Sequence, residues 1–276
     1  MEYAGKTAVV TGAGSGIGRA LALELARRGT RVAASDVNKA ELDRTVELAG
    51  GDQVRPYQLD VADRDAFLAH ADDVIRDFGQ VNLVVNNAGV AVAATVQEMS
   101  FDDLDWLLGI NLMGVITGSK AFLPHLIASG DGHLVNISSV FGLVGVPTQS
   151  AYCTAKFGVR GFTESLRQEM LIGGQPVTVH CVHPGGVKTN IVRNARLHGD
   201  ALEEEDPAGR FDRLARTTPA KAATTILRGV DKNAARILVG PDAYVFAGVP
   251  RLLGAGYEGI VGRLGRRAEQ RAARRT

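Results

Sequence analysis

The stretch TAVVTGAGSGIGRA at positions 7–20 decides the fold of this chain. A short β-branched run, Thr7 to Val10, leads through a glycine-rich turn into a helical pattern from Ile17 to Arg28. Glycines let such a turn bend tightly and approach a pyrophosphate, whose charge is held by the amides of the following helix. This order predicts the first unit of a parallel sheet with a ligand at the carboxyl ends of its strands.

Outward from this stretch, short apolar runs alternate with longer helical patterns. Strands that are apolar on both faces and joined by helices form a parallel sheet with right-handed connections. We therefore expect an α/β fold: a Rossmann-type, doubly wound parallel sheet, flanked by helices on both faces, in one domain over residues 1–276. The predicted strands are Thr7 to Val10, Arg31 to Ser35, Val54 to Gln58, Val81 to Val85, His133 to Ile137 and Val177 to Val182, with Ile237 to Val239 as a candidate last strand. The predicted helices are Ile17 to Arg28, Lys39 to Ala49, Arg64 to Phe78, Leu104 to Ala128 and Ala151 to Leu171.

The composition excludes several classes of protein. With 276 residues, 45% of them hydrophobic, the chain can bury a full core, and its net charge of +1 creates no field toward nucleic acid or membrane. Its two cysteines, Cys153 and Cys181, lack the spacing of metal ligands, so we expect no metal site. They are also too few for a disulfide scaffold, which favours a reducing cytoplasm. We expect no export signal and no membrane-spanning helix, because Pro241 and Arg251 help to interrupt the best C-terminal apolar stretch.

Two segments interrupt the alternation of strands and helices. The region from Lys188 to Thr218 carries the acidic run Glu203 to Asp206, which is either a solvated surface or part of a substrate lid. The C-terminal tail, about residues 250–276, has six arginines and one acid between Arg263 and Arg275. We expect its apolar stripe to dock on the body or on a partner subunit; peripheral membrane contact is the alternative. The stripe consists of Leu252, Leu253, Tyr257, Ile260, Val261 and Leu264.

The glycine turn is a candidate nucleotide site formed by Gly12, Ser15, Gly16, Ile17 and Gly18. Its spacing differs from the common G-x-G-x-x-G pattern, because Ile17 stands where that pattern has its last glycine. A glycine cluster alone fits an ordinary turn, but the strand before it and the helix after it favour a dinucleotide site.

Asp36 closes the second strand, about where an acid hydrogen-bonds the ribose hydroxyls of NAD and repels the 2′-phosphate of NADP. No basic residue stands at Ser15 or Val37 to receive that phosphate, although Arg19 is close in sequence. The alternative is that Asp36 caps the helix that begins near Asn38. We expect NAD to be the cofactor.

Tyr152 and Lys156 stand four residues apart, which places them on one face of a helix. A phenol is a poor base at neutral pH because its pKa is about 10, but a nearby cation lowers that pKa. Ser139, thirteen residues upstream of Tyr152 at the end of a predicted strand, could hydrogen-bond a reacting oxygen, and Ser138 is equally plausible. The pair of Tyr152 and Lys156 therefore has a chemical purpose, although its spacing in isolation is a weak motif.

These motifs, in this order, resemble the short-chain dehydrogenase/reductase family over about Lys6 to Asn190. The resemblance implies an oxidoreductase that moves a hydride between NAD and an alcohol or ketone. It also implies a homodimer or homotetramer built on the helices Leu104 to Ala128 and Ala151 to Leu171. The matching features are the Thr-Gly-x-x-x-Gly-x-Gly opening, Asn86-Asn87-Ala88-Gly89, Asn111, Ser139, Tyr152 with Lys156, and Pro184-Gly185 leading to Thr189.

The resemblance gives each matched residue a role. Ser139 orients and polarises the substrate oxygen, and Tyr152 exchanges its proton. Lys156 lowers the pKa of Tyr152 and holds the nicotinamide ribose, while Asn111 anchors a water that links Lys156 to solvent. The implied cofactor contacts are Asp60 with Val61 at the adenine, Asn87, Ala88 and Gly89 beside the adenosine ribose, and Pro184, Gly185, Val187 and Thr189 toward the nicotinamide carboxamide.

Two rival functions keep part of this pattern. A nucleotide-sugar epimerase or dehydratase shares the fold, but resembles Thr-Gly-x-x-Gly-x-x-Gly at its opening and has a larger C-terminal region. A non-catalytic NAD-binding sensor or scaffold needs no complete active site, whereas all four implied catalytic positions are filled here.

We expect a moderately large, apolar secondary alcohol or ketone as substrate, because the expected pocket residues carry few charges, although such residues also build cores. They are Val90, Val92, Phe141, Leu143, Val144, Val146, Ile191 and Val192.

Overall fold

The computed structural model describes residues 1–199 and 206–263. Its strands are β1 (Thr7–Thr11), β2 (Arg31–Asp36), β3 (Val54–Gln58), β4 (Leu83–Asn86), β5 (Val92–Ala93), β6 (Gly132–Ile137), β7 (Val177–Pro184), β8 (Arg196–Leu197) and β9 (Arg236–Val239). All except β5 and β8 form one parallel sheet in the order β3-β2-β1-β4-β6-β7-β9. The strand order reverses between β1 and β4, as in a doubly wound fold, which confirms the predicted fold class.

Helices cover both faces of this sheet. They are α1 (Gly16–Arg27), α2 (Lys39–Ala49), α3 (Arg64–Phe78), α4 (Phe101–Leu108), α5 (Gly114–Ala128), α6 (Ser150–Ile172), α7 (Pro207–Leu214), α8 (Pro219–Asp231) and α9 (Pro241–Leu253), and residues 256–263 are also helical. The predicted helix Leu104 to Ala128 is divided, because a π-helical turn, Gly109–Met113, separates α4 from α5. Gly109 and Gly114 flank this turn, and glycine weakens a regular helix.

The residues of β1 alternate between two apolar layers. Ala8 and Val10 face the layer that holds Leu21 of α1, whereas Val9 faces the layer that holds Phe67 of α3. All five side chains are buried. Both faces of the sheet are therefore covered, which explains why its strands read as continuous apolar runs in the sequence.

The helical run Phe101–Ala128 is long and apolar enough to cross a membrane, by length and composition alone. The expectation that no stretch of this kind exists was therefore wrong. Phe122 and Leu126 in α5 have no exposed surface and pack in the same layer as Phe67. In this fold, apolar side chains of the run therefore form part of the hydrophobic core.

A second, two-stranded piece lies beside the carboxyl edge of the sheet, where β5 pairs with β8 in parallel. Arg196 of β8 stacks on the Trp106 ring, with its Cζ 3.9 Å from the ring centroid, and its Nη1 lies 2.9 Å from Asp103 Oδ1. The first part of the region predicted as a lid is thus attached to α4. The acidic residues Glu203 to Glu205 lie outside the described residues.

The apolar stripe predicted for the tail does not pack as one face. Leu252, Leu253 and Ile260 are 85%, 48% and 42% exposed. Tyr257 is half-buried, and its hydroxyl accepts a hydrogen bond of 3.0 Å from the amide of Gly145. The tail therefore touches the body through Tyr257, whereas the other three side chains do not pack on the body, and their docking on a partner subunit stays a prediction. Leu264 and the arginines from Arg266 to Arg275 lie outside the described residues.

Candidate active site

The loop between β1 and α1 needs glycine for steric reasons. Gly12 and Gly16 have φ angles of +64° and +52°, a region that other residues rarely adopt. A Cβ on Gly12 would lie 2.8 Å from the Ala88 Cα, and one on Gly18 would lie 2.1 Å from the Gly12 carbonyl oxygen. The close approach of loop, helix and β4 therefore accounts for the predicted glycine positions.

The first turn of α1 carries the features of an anion site. Ser15 precedes the helix in extended conformation, and among the described residues no side chain caps the first amides, those from Gly16 to Gly18. These amides and the helix dipole attract a negative charge. A Cβ on Gly16 would lie 3.1 Å from the Thr189 Cγ2, so the segment after β7 faces the same turn. The structure thus brings two distant groups of predicted cofactor residues together.

Asp36 is held rigidly at the end of β2. Its Oδ2 accepts a hydrogen bond of 2.8 Å from the Gly14 amide, and its Oδ1 accepts one of 2.9 Å from the Asn38 amide. The cap of α2 is Asn38, whose side chain accepts from the Glu41 amide, so the alternative reading of Asp36 as the cap is wrong. Arg19 is occupied as well, because its Nη2 lies 2.6 Å from the Glu41 carboxylate.

Asn87 and Ala88 brace the glycine loop from β4. Both of their amides donate to the Thr11 Oγ1, at 3.0 and 3.1 Å, and the Asn87 side chain donates to the carbonyl oxygens of Thr11 and Gly12. Thr11, which the sequence interpretation overlooked, is the buried acceptor that ties β1 to the loop after β4. The sequence feature that could have identified Thr11 is its position as the first residue of the glycine motif.

The residues predicted at the adenine follow β3. Asp60 is exposed, and its Oδ1 accepts a hydrogen bond of 2.9 Å from the Ala62 amide, which forms a local turn. Val61 is buried against Gly114, where a Cβ would lie 3.0 Å from the Val61 Cγ2. The Leu59 amide bonds to the Asp36 carbonyl, so this turn lies beside Asp36 at the same sheet edge.

Tyr152 and Lys156 lie on α6, one turn apart. The Lys156 Nζ is 5.5 Å from the centroid of the Tyr152 ring and donates a hydrogen bond of 3.0 Å to the Ile137 carbonyl at the end of β6. Burial lowers the pKa of Lys156 to about 8. Burial raises the pKa of Tyr152 to about 12, and the neighbouring Ser139 hydroxyl opposes that rise. The expectation that Lys156 lowers the pKa of Tyr152 is therefore wrong for this structure, because burial is the largest influence on that pKa.

The structure distinguishes the two candidate serines. Strand β6 ends at Ile137, so neither serine belongs to it, although Ser139 was predicted at a strand end. The Ser138 hydroxyl donates a hydrogen bond of 2.8 Å to the Lys156 carbonyl and has a structural task. The Ser139 Oγ accepts from the Phe141 amide at 3.1 Å, which leaves its proton for another acceptor.

Asn111 lies in the π-helical turn and is fully buried. Its side chain bonds twice to the backbone of Val90, as acceptor from the amide and as donor to the carbonyl, both at 2.8 Å. A Cβ on Gly89 would lie 3.3 Å from the Asn111 Oδ1 and 3.7 Å from the Lys156 Nζ. The Asn111 amide and the Lys156 ammonium therefore both lie close to the position that a Cβ on Gly89 would occupy. Turns of this kind are frequent at functional sites.

The loop after β7 is fixed by a residue that the sequence interpretation missed. Asp242, in the first turn of α9, accepts a hydrogen bond of 2.6 Å from the Gly186 amide, and a Cβ on Gly185 would lie 2.2 Å from its Oδ2. Pro184 and Val187 are buried, and Val187 pairs with Thr217. Asp242 follows a proline at a helix start, which is an ordinary pattern for an acid and gave no signal of this distant contact.

A second missed residue is His183, which is fully buried on β7. Its Nδ1 lies 2.9 Å from the Ser139 carbonyl oxygen, and burial lowers its pKa to about 4. The ring is therefore neutral at physiological pH and supports the backbone at Ser139. A histidine inside an apolar strand carried no sign of this contact in the sequence.

The predicted pocket residues divide into two groups. Val92, Leu143 and Val144 are buried and pack as core residues. The Phe141 ring stands edge-on to the Tyr152 ring, with the centroids 6.1 Å apart, and is partly exposed. The remaining partly exposed residues of the set are Val90, Val146, Ile191 and Val192.

Known proteins resemble this chain over most of its length. A family model described as short chain dehydrogenase matches residues 6–199. SadH of Mycobacterium tuberculosis, named as an oxidoreductase, is 52% identical over 263 residues, covering 94% of this chain and 95% of SadH. The D-threitol dehydrogenase of Mycolicibacterium smegmatis is 38% identical over 236 residues, covering 82% of this chain and 90% of that protein. A solved short chain dehydrogenase/reductase from Burkholderia phymatum, in complex with NAD, has a TM-score of 0.87 and 30% identity, covering 94% of this chain and 96% of that one.

Proposed function

Because the chain belongs to the short-chain dehydrogenase family, we propose that it transfers a hydride between NAD and a secondary alcohol or ketone. The observation that carries this proposal is the arrangement of Tyr152, Lys156 and Asn111 around Gly89, with Ser139 beside Tyr152. This cluster lies at the same sheet edge as the glycine loop. Alcohol oxidation requires a proton-exchanging group next to a dinucleotide site.

The glycine loop fits a dinucleotide. A Cβ on Gly12 or Gly18 would clash with neighbouring backbone atoms, so the backbone there is free of side chains, and no described side chain caps the start of α1. When bound, the nicotinamide ring accepts or returns the hydride. Asp36 would bind the ribose hydroxyls at the adenine end. The further residues proposed to hold the cofactor are Ser15, Gly16, Ile17, Asp60, Val61, Asn87, Ala88, Gly89, Tyr152, Lys156, Pro184, Gly185, Val187 and Thr189.

In the oxidation direction, the Tyr152 phenolate accepts the proton of the alcohol hydroxyl while the carbon-bound hydrogen leaves with its electron pair and a carbonyl forms. In the reduction direction, the phenol returns that proton to the carbonyl oxygen. Ser139 donates a hydrogen bond to the same oxygen, since its own oxygen already accepts from the Phe141 amide. The Lys156 ammonium stabilises the phenolate electrostatically.

Lys156 also provides an exit for the proton. Its pKa of about 8 allows it to lose and regain a proton near neutral pH. The Asn111 Oδ1 and the Lys156 Nζ both lie near the position of a Cβ on Gly89. The oxygen and the nitrogen of the Asn111 amide are held by hydrogen bonds to the backbone of Val90. We assign Asn111 the positioning of a water between Lys156 and solvent.

NAD is the proposed cofactor, in preference to NADP. The carboxylate of Asp36 is fixed by the amides of Gly14 and Asn38, where it would repel a 2′-phosphate. Arg19 is paired with Glu41 and is not free to neutralise such a phosphate. Val37, beside Asp36, is 62% exposed and carries no charge.

The proposed substrate is a moderately large, apolar secondary alcohol or its ketone. Partly exposed apolar side chains, with Phe141 nearest to Tyr152, support this choice. The segment from Lys188 to Thr218 is proposed as the lid, and the attachment of Arg196 to Asp103 and Trp106 gives it a fixed end. A charged sugar would find few partners among the partly exposed apolar side chains Val90, Phe141, Val146, Ile191 and Val192.

We also propose a homodimer or homotetramer in the cytoplasm. Met113, next to α5, and Phe157 on α6 are 40% and 41% exposed, as expected of apolar side chains that a partner covers. Cys153 and Cys181 are both free and buried, which suits a reducing compartment. Size-exclusion chromatography with light scattering would test the assembly.

A turnover assay tests the proposed function. Purified protein is incubated with NAD or NADP and a panel of secondary alcohols, and with NADH or NADPH and the matching ketones, while the reduced nicotinamide is followed by its absorbance. We expect NAD-dependent oxidation of apolar members of the panel. Tight NAD binding without any turnover would instead support the sensor or scaffold, and conversion of a nucleotide-sugar without net change in NAD would support the epimerase.

A further inference from the structure

The loop between Ser139 and Tyr152 forms one side of the proposed substrate site, and its central part, Leu143 to Gln149, has little regular structure. Among its contacts with the rest of the described chain are three hydrogen bonds near its middle. The Val144 carbonyl accepts from the Cys153 thiol at 3.8 Å, and the Thr148 carbonyl accepts from the Ala94 amide at 3.0 Å. The third is the hydrogen bond of 3.0 Å from the Gly145 amide to the Tyr257 hydroxyl.

This third contact comes from the C-terminal segment. Helix α9 ends at Leu253, and Gly254 has a φ angle of +52°, where glycine is favoured. The chain then turns into helix 256–263, whose first turn holds Tyr257. Tyr257 is half-buried, while its neighbours Gly256 and Glu258 are exposed, so its side chain is the part of this turn that reaches the body.

We propose that helix 256–263 is a wall of the substrate cleft and that Tyr257 sets the size of alcohol admitted, by fixing Gly145. This inference rests on the proposed function of the site. Glycine at 145 leaves the loop free to move when the contact is absent, because glycine has few conformational limits. The neighbouring Val144 and Val146 would move with it, and Val146 is among the partly exposed residues of the proposed pocket.

The contact can be removed without disturbing the core. Tyr257→Phe deletes only the hydroxyl that accepts from Gly145. Tyr244→Phe is the matched control, because Tyr244 lies on α9, is 66% exposed and makes no side-chain hydrogen bond among the described residues. A chain that ends at Leu253 removes the whole wall and is the stronger test, provided that its circular dichroism shows a folded protein.

The first readout is hydrogen exchange and does not depend on activity. Amide exchange of the peptide that covers Leu143 to Gln149 should become faster in Tyr257→Phe than in wild type or Tyr244→Phe. Unchanged exchange in that peptide would overturn the inference, because the loop would then be held without Tyr257.

The second readout is the substrate range with NAD. For Tyr257→Phe we expect KM for bulky secondary alcohols to change by about 3- to 10-fold, with KM for NAD and for small alcohols within about twofold of wild type. An equal effect on small and bulky alcohols, or none on either, would overturn the assigned role. Absence of turnover in the wild type as well would count against the proposed function, and the exchange experiment would still decide the contact.

Discussion

The Lys156 ammonium lies against the face of the Tyr152 ring, 5.5 Å from its centroid, while it donates a hydrogen bond to the Ile137 carbonyl. This arrangement fixes the lysine between α6 and the end of β6. Burial shifts the pKa of each group toward its neutral form, to about 8 for Lys156 and to about 12 for Tyr152. Strongly shifted pKa values in two adjacent groups are typical of an acid–base centre.

The rate of ketone reduction should fall above about pH 8. Reduction needs the protonated phenol of Tyr152, which a pKa of about 12 preserves, and the charged Lys156, which is lost as pH rises through about 8. We expect kcat/KM at saturating NADH to be level below that pH and to fall by up to about tenfold per pH unit above it. Lys156→Arg, whose guanidinium keeps its charge, should move the decline to higher pH. A reduction rate that rises through pH 8 would contradict this assignment.

Tyr152→Phe should remove turnover and leave NAD binding largely intact, because it deletes only the transferable proton. The expected loss in kcat is about 10²- to 10⁴-fold. Lys156→Ala should weaken both turnover and NAD binding, since its proposed tasks include the ribose. Binding is measured by calorimetry, and Tyr244→Phe serves as the control for an exposed tyrosine outside the proposed catalytic residues. Retention of most activity by Tyr152→Phe would exclude the proposed mechanism.

Asp36→Ala combined with Val37→Arg should relax or invert the preference for NAD. The change removes a carboxylate that is fixed by two backbone amides and places a cation beside the proposed ribose site. The measurement is the ratio of kcat/KM for the two cofactors in wild type and variant. Val37→Arg alone is the control, and it should shift the ratio less because Asp36 persists. If wild-type protein already binds NADP as tightly as NAD, the assignment of Asp36 fails.

Ser139→Ala should mainly affect catalysis, whereas Ser138→Ala should mainly affect stability. The Ser139 proton is free for a substrate, so its loss should lower kcat by about 10- to 100-fold with little change in stability. Ser138 instead donates to the Lys156 carbonyl from a buried position, and its loss should cost about 1 kcal/mol in the free energy of unfolding. Urea denaturation and steady-state kinetics on both variants separate these effects. An equal loss of kcat in the two variants would contradict the distinction.

Most of the fold was visible in the sequence because parallel strands buried on both faces keep a strong apolar signal. Strand Val54–Gln58 and helix Lys39–Ala49 have the predicted bounds. The π-helical turn Gly109–Met113 was missed, because such single turns are rare and no motif in the sequence marks them. The exposure of the tail was missed because helical spacing alone does not show what covers a face.

The candidate site was predictable where local motifs carry it. Gly12, Gly18 and Tyr152 with Lys156 belong to short patterns whose spacing has a physical reason. The contacts of Asp242 with Gly186 and of His183 with Ser139 join residues that are 56 and 44 positions apart. Such pairs depend on how the strands are ordered in the sheet, which no local pattern reports.

A stacked pair of buried histidines should make the protein lose stability in acid. His133 of β6 and His180 of β7 have ring centroids 5.3 Å apart, and the His133 Nδ1 lies 3.0 Å from the His180 Nε2. The His180 Nδ1 lies 2.7 Å from the Ala234 carbonyl, so it donates there, and its Nε2 is left to accept from His133. This arrangement requires a neutral His180 ring, and burial, which lowers the pKa of His133 to about 4, keeps that ring neutral as well.

Burial lowers the pKa of each of these histidines from 6.5 to about 4. The unfolded chain then binds more protons than the native chain between these pH values, so stability is fully present above pH 6.5 and is lost as pH falls toward about 4. The loss is at most about 3 kcal/mol per histidine. His70 and His183, whose pKa values are also lowered to about 4, contribute in the same direction.

Urea unfolding at a series of pH values from 4 to 7 measures this slope, and His133→Gln should make it shallower because one titrating ring is removed while a hydrogen-bond donor is kept. His125→Gln on α5, where the histidine is only partly buried, is the matched control for a histidine substitution outside the stacked pair. The free energy of unfolding of the His133→Gln variant at neutral pH, compared with that of wild type, then gives the effect of the substitution on packing without any contribution from protonation. Identical slopes for wild type and His133→Gln would show that the stacked pair does not titrate with unfolding.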